Sequence, residues 1–163
     1  MSDLLHRRLL HASLALALAG ASGGCSKYYI PNTDVEDTDG NRDVVAYCEA
    51  YRHAVERKDV AALLEMASTE YYEDGGNVDA ADDIDYAGLR EYLTDRFADA
   101  KGIRYEIRYR RVLREGPYIY VDYTYSGSFR VKSEAGEKWR STVEENRLEL
   151  VQDGDTFRIL AGM

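Results

Sequence analysis

Gly102-Ile103-Arg104-Tyr105-Glu106-Ile107-Arg108-Tyr109-Arg110 is the stretch where this chain changes its period. Ile103, Tyr105, Ile107 and Tyr109 alternate with Arg104, Glu106, Arg108 and Arg110. Successive side chains of an extended chain point to opposite faces, so the alternation predicts a strand with one face on a core and one in water. Before this stretch the apolar spacing is helical, and after it the period stays near two. Helices first and strands second is the order of an α+β domain, with the helices segregated onto one face of an antiparallel sheet.

Upstream, Val44, Cys48, Tyr51 and Val55 form one apolar stripe at helical spacing. They predict a first helix that starts at a Thr38 or Asn41 cap and runs to Lys58. Asp59 caps an expected second helix with Val60, Leu63, Leu64 and Ala67 facing inward. Ser68 to Asp74 is too short and too aromatic for a helix, so Tyr71-Tyr72 is expected to be extended, ending at Gly75-Gly76. Asp85 caps an expected third helix bearing Leu89, Leu93 and Phe97, which Gly102 stops. Downstream, Gly116-Pro117 marks a turn, and Ile119, Val121, Tyr123, Tyr125, Phe129 and Val131 share one face of a second long strand. Ala135-Gly136 turns the chain into a third strand, Trp139 to Val151. There Trp139 and Val143 share one phase while Leu148 and Leu150 share the other, and a bulge near Glu145 reconciles them. Asp153-Gly154 signals a last hairpin, with Phe157 and Ile159 closing the sheet.

The first residues read as an address. Arg7 and Arg8 supply a positive start, Leu9 to Leu18 a short apolar core, and Gly20 to Gly24 small residues before Cys25. An apolar run this short does not span a hydrocarbon core of about 30 Å as a helix. Residues 1–24 are therefore expected to be a cleaved export signal, with an ordinary secretory signal cut near Ala21 as the competing reading. The run Ser22-Gly23-Gly24-Cys25 resembles the bacterial lipoprotein signal, with Ser22 where that signal usually carries Leu. The resemblance implies acylation of Cys25, anchoring in the cell envelope, and outer-membrane sorting, since Ser26 rather than Asp follows the cysteine. The chain holds two cysteines, so an acylated Cys25 leaves Cys48 as a free thiol on the helix stripe; a Cys25–Cys48 disulfide is the competing arrangement. Residues 25–37 are expected to be an acidic, solvated tether in which Tyr28, Tyr29 and Ile30 are candidates to pack on the domain, and residues 38–163 the folded domain. The formal charge of −9, with no basic stripe, argues against nucleic acid as a partner.

Two segments carry a resemblance to a fold family. Tyr51-Arg52-His53-Ala54-Val55-Glu56-Arg57-Lys58-Asp59-Val60-Ala61-Ala62-Leu63-Leu64 is similar to the first-helix end, turn and second helix of NTF2-like proteins. Asp153-Gly154-Asp155-Thr156-Phe157-Arg158-Ile159-Leu160 resembles their final hairpin. The resemblance covers about Asn41 to Met163 and implies the cone-shaped α+β fold shared by SnoaL-like proteins and ketosteroid isomerases. Within the isomerases, Tyr51 matches the tyrosine that donates to the enolate oxygen, Asp74 the general base, and Asn146 the second oxyanion donor. Asn146 departs from the family's protonated Asp, and Gly75 from the proline after its base. The trio is chemically coherent, a carboxylate to move a proton and two donors to hold an oxyanion. Packing explains Tyr51 equally well, a turn cap Asp74, and backbone satisfaction Asn146.

The same resemblance places an expected ligand pocket between helices and sheet, lined by Tyr51, Val55, Tyr72, Leu93, Phe97, Tyr123 and Trp139. The 14 tyrosines suit an amphipathic wall or an interface, because each buries a large ring and keeps a hydroxyl. With His53 the sole histidine after the signal, no metal and no cofactor is expected. The acidic loop from Glu73 to Asp85 matches no cation cage. Three readings follow. The leading one is a non-catalytic, lipid-anchored domain that binds a small apolar or amphipathic ligand or an envelope protein. The others are an isomerase- or dehydratase-like enzyme using Asp74, and a structural module that forms a homodimer through the outer sheet face around Tyr118, Tyr120 and Arg130.

Overall fold

Thr38 starts the first helix by accepting a hydrogen bond from Asn41 N on its Oγ1 at 3.2 Å, which satisfies one of the free N–H groups of the first turn. The computed structural model describes residues 27–75, 82–98, 100, 102–133 and 136–163; residues 1–26, with the signal and Cys25, lie outside that range. Helix α1 (Asp39–Arg57) buries Val44, Cys48 and Tyr51 along the expected stripe. It ends at Lys58 in the left-handed region, φ 56°, where glycine is the usual residue. The Lys58 ammonium crosses to the end of the third helix and donates to the carbonyls of Ala100 (2.8 Å) and Phe97 (3.4 Å). A cation at these C-terminal carbonyls is favoured by the helix dipole, and it ties together the two helices that frame the cone.

Asp59 caps α2 (Val60–Met66) through Ala62 N at 3.1 Å. A two-stranded ribbon follows, β1 (Tyr72–Glu73) with β2 (Ile84–Asp85). Asp85 then caps α3 (Tyr86–Ala98) through Gly88 N at 2.9 Å. Gly102, expected as the helix stop, instead opens the first long strand. The four strands β3 (Gly102–Glu115), β4 (Tyr118–Ser133), β5 (Gly136–Asp153) and β6 (Thr156–Ala161) pair antiparallel in sequence order. Tyr105, Tyr109, Ile119, Val121, Tyr123, Leu148, Leu150, Phe157 and Ile159 are buried on the face covered by the helices. Register shifts at Arg110 in β3 and at Leu160 in β6 add a residue to one strand of a pair, which bends a sheet.

The expected bulge near Glu145 is absent. Pairing of β4 with β5 runs unbroken from Tyr118↔Val151 to Ser133↔Gly136. With the period of two intact, Asn146, Glu144 and Thr142 share the inner face with Leu148 and Leu150, while Trp139 and Val143 go to the outer one.

Residues 27–37 also differ from the expected solvated tether. Tyr29 bridges Glu36, Val35 is buried at 2% exposure, and Asp34 N donates to Tyr109 O at 2.9 Å. Asp34 is clamped by Arg108 (2.8 Å) and Arg110 (2.9 Å), two of the arginines on the polar side of β3. Acidic composition concealed a docked arm, because its charges are neutralised by partners far along the chain. The arm covers the free edge of β3 near Tyr109; nearby, Glu56 accepts from Tyr105 N and Arg52 donates to Tyr105 O. At the opposite edge Ser68 N donates to Ile159 O at 2.8 Å. Both sheet edges are thereby partly blocked against pairing with another chain.

Candidate functional site

Between α1, α3 and the concave face of β3–β5 lies a cavity of about 520 Å³. Helix α1 contributes Tyr51 and Val55, and α3 contributes Tyr92, Leu93, Arg96 and Phe97. The strands contribute Ile103, Tyr105, Tyr125, Phe129, Thr142, Glu144 and Asn146, with Ala100 and Met163 at the margins. Sheet register makes the room. Gly127 lies buried between Tyr105 on one neighbouring strand and Thr142 on the other, and a Cβ there would come within 2.9 Å of the Phe129 ring. The missing side chain leaves space that any other residue would occupy.

At the floor of the cavity three buried phenols come together, Tyr51, Tyr105 and Tyr123. Asn146 Nδ2 donates to the Tyr123 hydroxyl at 3.1 Å, and Asn146 Oδ1 accepts from Arg147 N at 2.7 Å. Burial pushes the pKa of each of the three phenols up, so they remain neutral. Higher in the cavity, Glu144 accepts from Tyr125 Oη at 2.8 Å and from Thr142 Oγ1 at 2.7 Å. These two donors hold the Glu144 carboxyl below the usual range for a glutamate. On the facing helix, Arg96 Nε donates to Tyr92 Oη at 3.2 Å.

Of the residues expected here, Tyr51, Val55, Leu93, Phe97 and Asn146 line the cavity. Tyr123 lies under its floor, at 1% exposure, where its hydroxyl accepts from Asn146. Asp74, Tyr72 and Trp139 lie elsewhere. Tyr71 is buried, so alternation along the short β1 segment turns Tyr72 and Asp74 outward and Glu73 inward. Tyr72 is 53% exposed and its hydroxyl donates to the Asp83 carboxylate. Glu73 accepts from Gly162 N at 2.7 Å. Trp139 sits on the outer sheet face, where the guanidinium of Arg104 stands 4.9 Å from its ring centroid.

The expected catalytic trio is therefore not assembled: Tyr51 and Asn146 share the cavity, and Asp74 is exposed outside it. Among the described side chains, Glu144 is the carboxylate that lines the cavity, and its depressed pKa weakens it as a base. Sequence reasoning missed Glu144, Thr142, Tyr92 and Arg96. Counting back by twos from Leu148 gives Asn146, Glu144 and Thr142, so the signal for two of them was present. The inserted bulge at Glu145 reversed the parity beyond it and brought Trp139 in instead.

The sequence matches no family model and no curated protein. Among solved structures, a candidate aromatic ring hydroxylase from Novosphingobium aromaticivorans superposes with a TM-score of 0.59 at 17% identity, over 74% of this chain and 84% of that one. A ketosteroid isomerase-like protein from Erwinia carotovora atroseptica gives 0.57 at 14%, over 77% and 95%. A candidate dehydratase of the NTF2-like family from Streptomyces avermitilis gives 0.58 at 13%, over 75% and 92%. Identities this low carry the architecture and not the chemistry. Helices on the concave face of a four-stranded antiparallel sheet, in this order and with these structural neighbours, make the chain an α+β protein of NTF2-like fold.

Proposed function

We propose that this protein is a lipid-anchored cell-envelope domain that holds a small amphipathic ligand in its cone without catalysing a reaction. The observation that carries the reading is the composition of the cavity. Aromatic and aliphatic walls are interrupted by few polar groups, the usual make-up of a small-molecule site. The isomerase-like reading loses its base, since Asp74 is outside that space. Filling the cavity tests the assignment. The neutral fluorescent probe N-phenyl-naphthylamine should bind the wild-type chain, and Thr142→Trp, which places an indole in the cavity, should weaken it at least about ten-fold. Equal binding by both proteins would remove the cavity from the reading.

The anchor rests on Gly24-Cys25 and on the docked arm. Tyr28 lies three positions after Cys25, a reach of about 10 Å when fully extended. An acyl group on Cys25 would hold the domain against the bilayer, with the exposed Tyr28 and Tyr29 beside the headgroups. Mass spectrometry of the mature N-terminus should find a diacylglyceryl cysteine; a free alanine or serine terminus would sink the anchor. Ser26 supports outer-membrane sorting. Self-association through the outer sheet face belongs to the same proposal, supported by the exposed Tyr118, Trp139 and Val143.

A further inference from the structure

Six of the cavity's lining side chains are aromatic, namely Tyr51, Tyr92, Phe97, Tyr105, Tyr125 and Phe129. The face of each ring carries negative quadrupole charge and attracts a cation placed over it. The cavity already contains one such contact: the Arg96 guanidinium carbon lies 5.3 Å from the centroid of its own neighbour Tyr92. Among the described lining residues, Arg96 and Glu144 carry charged side chains, and their situations differ. Arg96 is laid along α3, donating to Tyr92 Oη. Glu144 is pinned on the sheet, one oxygen taking Tyr125 Oη and the other Thr142 Oγ1. A carboxylate offers about four acceptor positions, so two donors leave roughly half its capacity for a third partner. The ring of Tyr125, whose hydroxyl holds Glu144, packs against Tyr105 with centroids 5.2 Å apart, so the carboxylate stands at the edge of an aromatic pair.

An anionic ligand entering this space would meet a fixed carboxylate, with the Arg96 guanidinium already bonded to Tyr92. A neutral one would leave the acceptors of Glu144 to water. A ligand with an ammonium head meets a carboxylate and aromatic rings in one space. From this geometry we infer that the cavity takes an amphipathic organic ammonium, with its nitrogen at Glu144 against Tyr105 and Tyr125 and its apolar part on Leu93, Phe97 and Val55. The inference rests on the cavity-binding reading above and adds the charge of the ligand. Donor bonds that keep Glu144 ionised across neutral pH agree with it, and the formal charge of −9 on the chain favours approach of cations at low salt.

Three probes on one carbon skeleton test it: phenylpropylamine as the ammonium, phenylpropanol as the neutral form and phenylpropanoate as the anion. In calorimetric titrations of the mature chain, the ammonium should bind about ten-fold tighter than the alcohol, and the anion weakest. The Glu144→Gln variant keeps the size of the side chain and should narrow the gap between ammonium and alcohol to about two-fold. The wild-type ranking decides the matter without any variant. If the alcohol or the anion binds as tightly as the ammonium, the charge assignment is overturned while the cavity reading stands. If the ammonium leads but Glu144→Gln leaves the gap intact, Glu144 is not its partner and the proposed site is wrong. If none of the three binds while N-phenyl-naphthylamine does, the ammonium inference falls alone; if that probe also fails, the cavity reading falls with it.

Discussion

Cys48 is a free thiol with no exposed surface, and burial pushes its pKa up to about 12. Since the thiolate is the reactive form, Cys48 should resist an aromatic disulfide reagent at pH 8 in the folded protein and react fully once the chain is unfolded in guanidinium. Rapid labelling of the native protein would show that α1 opens readily. Asp74 gives the opposite kind of prediction. Its side chain is exposed beyond β1, so Asp74→Asn should change stability by no more than about 0.5 kcal/mol and leave phenylpropylamine affinity as in the wild type. A loss of binding with fold intact would return Asp74 to the site. Its resemblance to a catalytic position came from the local segment, and local sequence does not tell a strand residue which side of a cone it faces.

At the scale of elements, the arm before α1 depends on Asp34. Hydrogen bonds from Arg108 and Arg110 hold its carboxyl at about 2, below the ordinary 3.8. A folded-state pKa below the unfolded one adds stability at pH above the unfolded value, and that stability is lost as pH falls toward the folded value. Docking of the arm should therefore weaken between about pH 4 and pH 2, visible as faster amide exchange at Asp34, whose N–H bonds Tyr109 O. Asp34→Asn should show the faster exchange already at neutral pH. The end of β6 depends on Gly162, which has φ 92°, and a Cβ there would overlap the carbonyl oxygen of Arg147. Gly162→Ala should cost about 2 kcal/mol or more in a denaturant titration, from backbone strain and the displaced strand. A near-neutral result would mean that the tail re-seats without cost.

For the whole molecule, the cavity is a product of three separated segments held at fixed distance. Lys58 ties α1 to the end of α3, the unbroken β4–β5 register lines the sheet side, and Gly127 leaves space between strands. The outer sheet face carries exposed aromatic surface of its own, with Tyr118 at 41% and Trp139 at 43% exposure. If that face self-associates as proposed, sedimentation should report a dimer whose population falls on Trp139→Ser. A monomer at every concentration would leave the face to another partner.

What the sequence determined by itself is the kind and order of the elements. Helical stripes before Ala98, alternation after Gly102, and side-chain caps at Thr38, Asp59 and Asp85 are local physics. They depend on spacing and on donors a few residues away, so they are legible in one dimension. The parity of Tyr105, Tyr123 and Tyr125 was legible for the same reason, as was the inward stripe with Tyr51. What only the tertiary structure decided is register and long-range pairing. Two phases of apolar residues in β5 are compatible with a bulge or with an exposed Trp139, and pairing with β4 chose the second. That choice brought Glu144 inward. The acidic arm reads as solvated until Arg108 and Arg110, more than seventy residues on, neutralise Asp34. An ion pair across that distance leaves no periodic trace in the chain, because its energy depends on where the fold brings the two charges and not on their spacing in sequence.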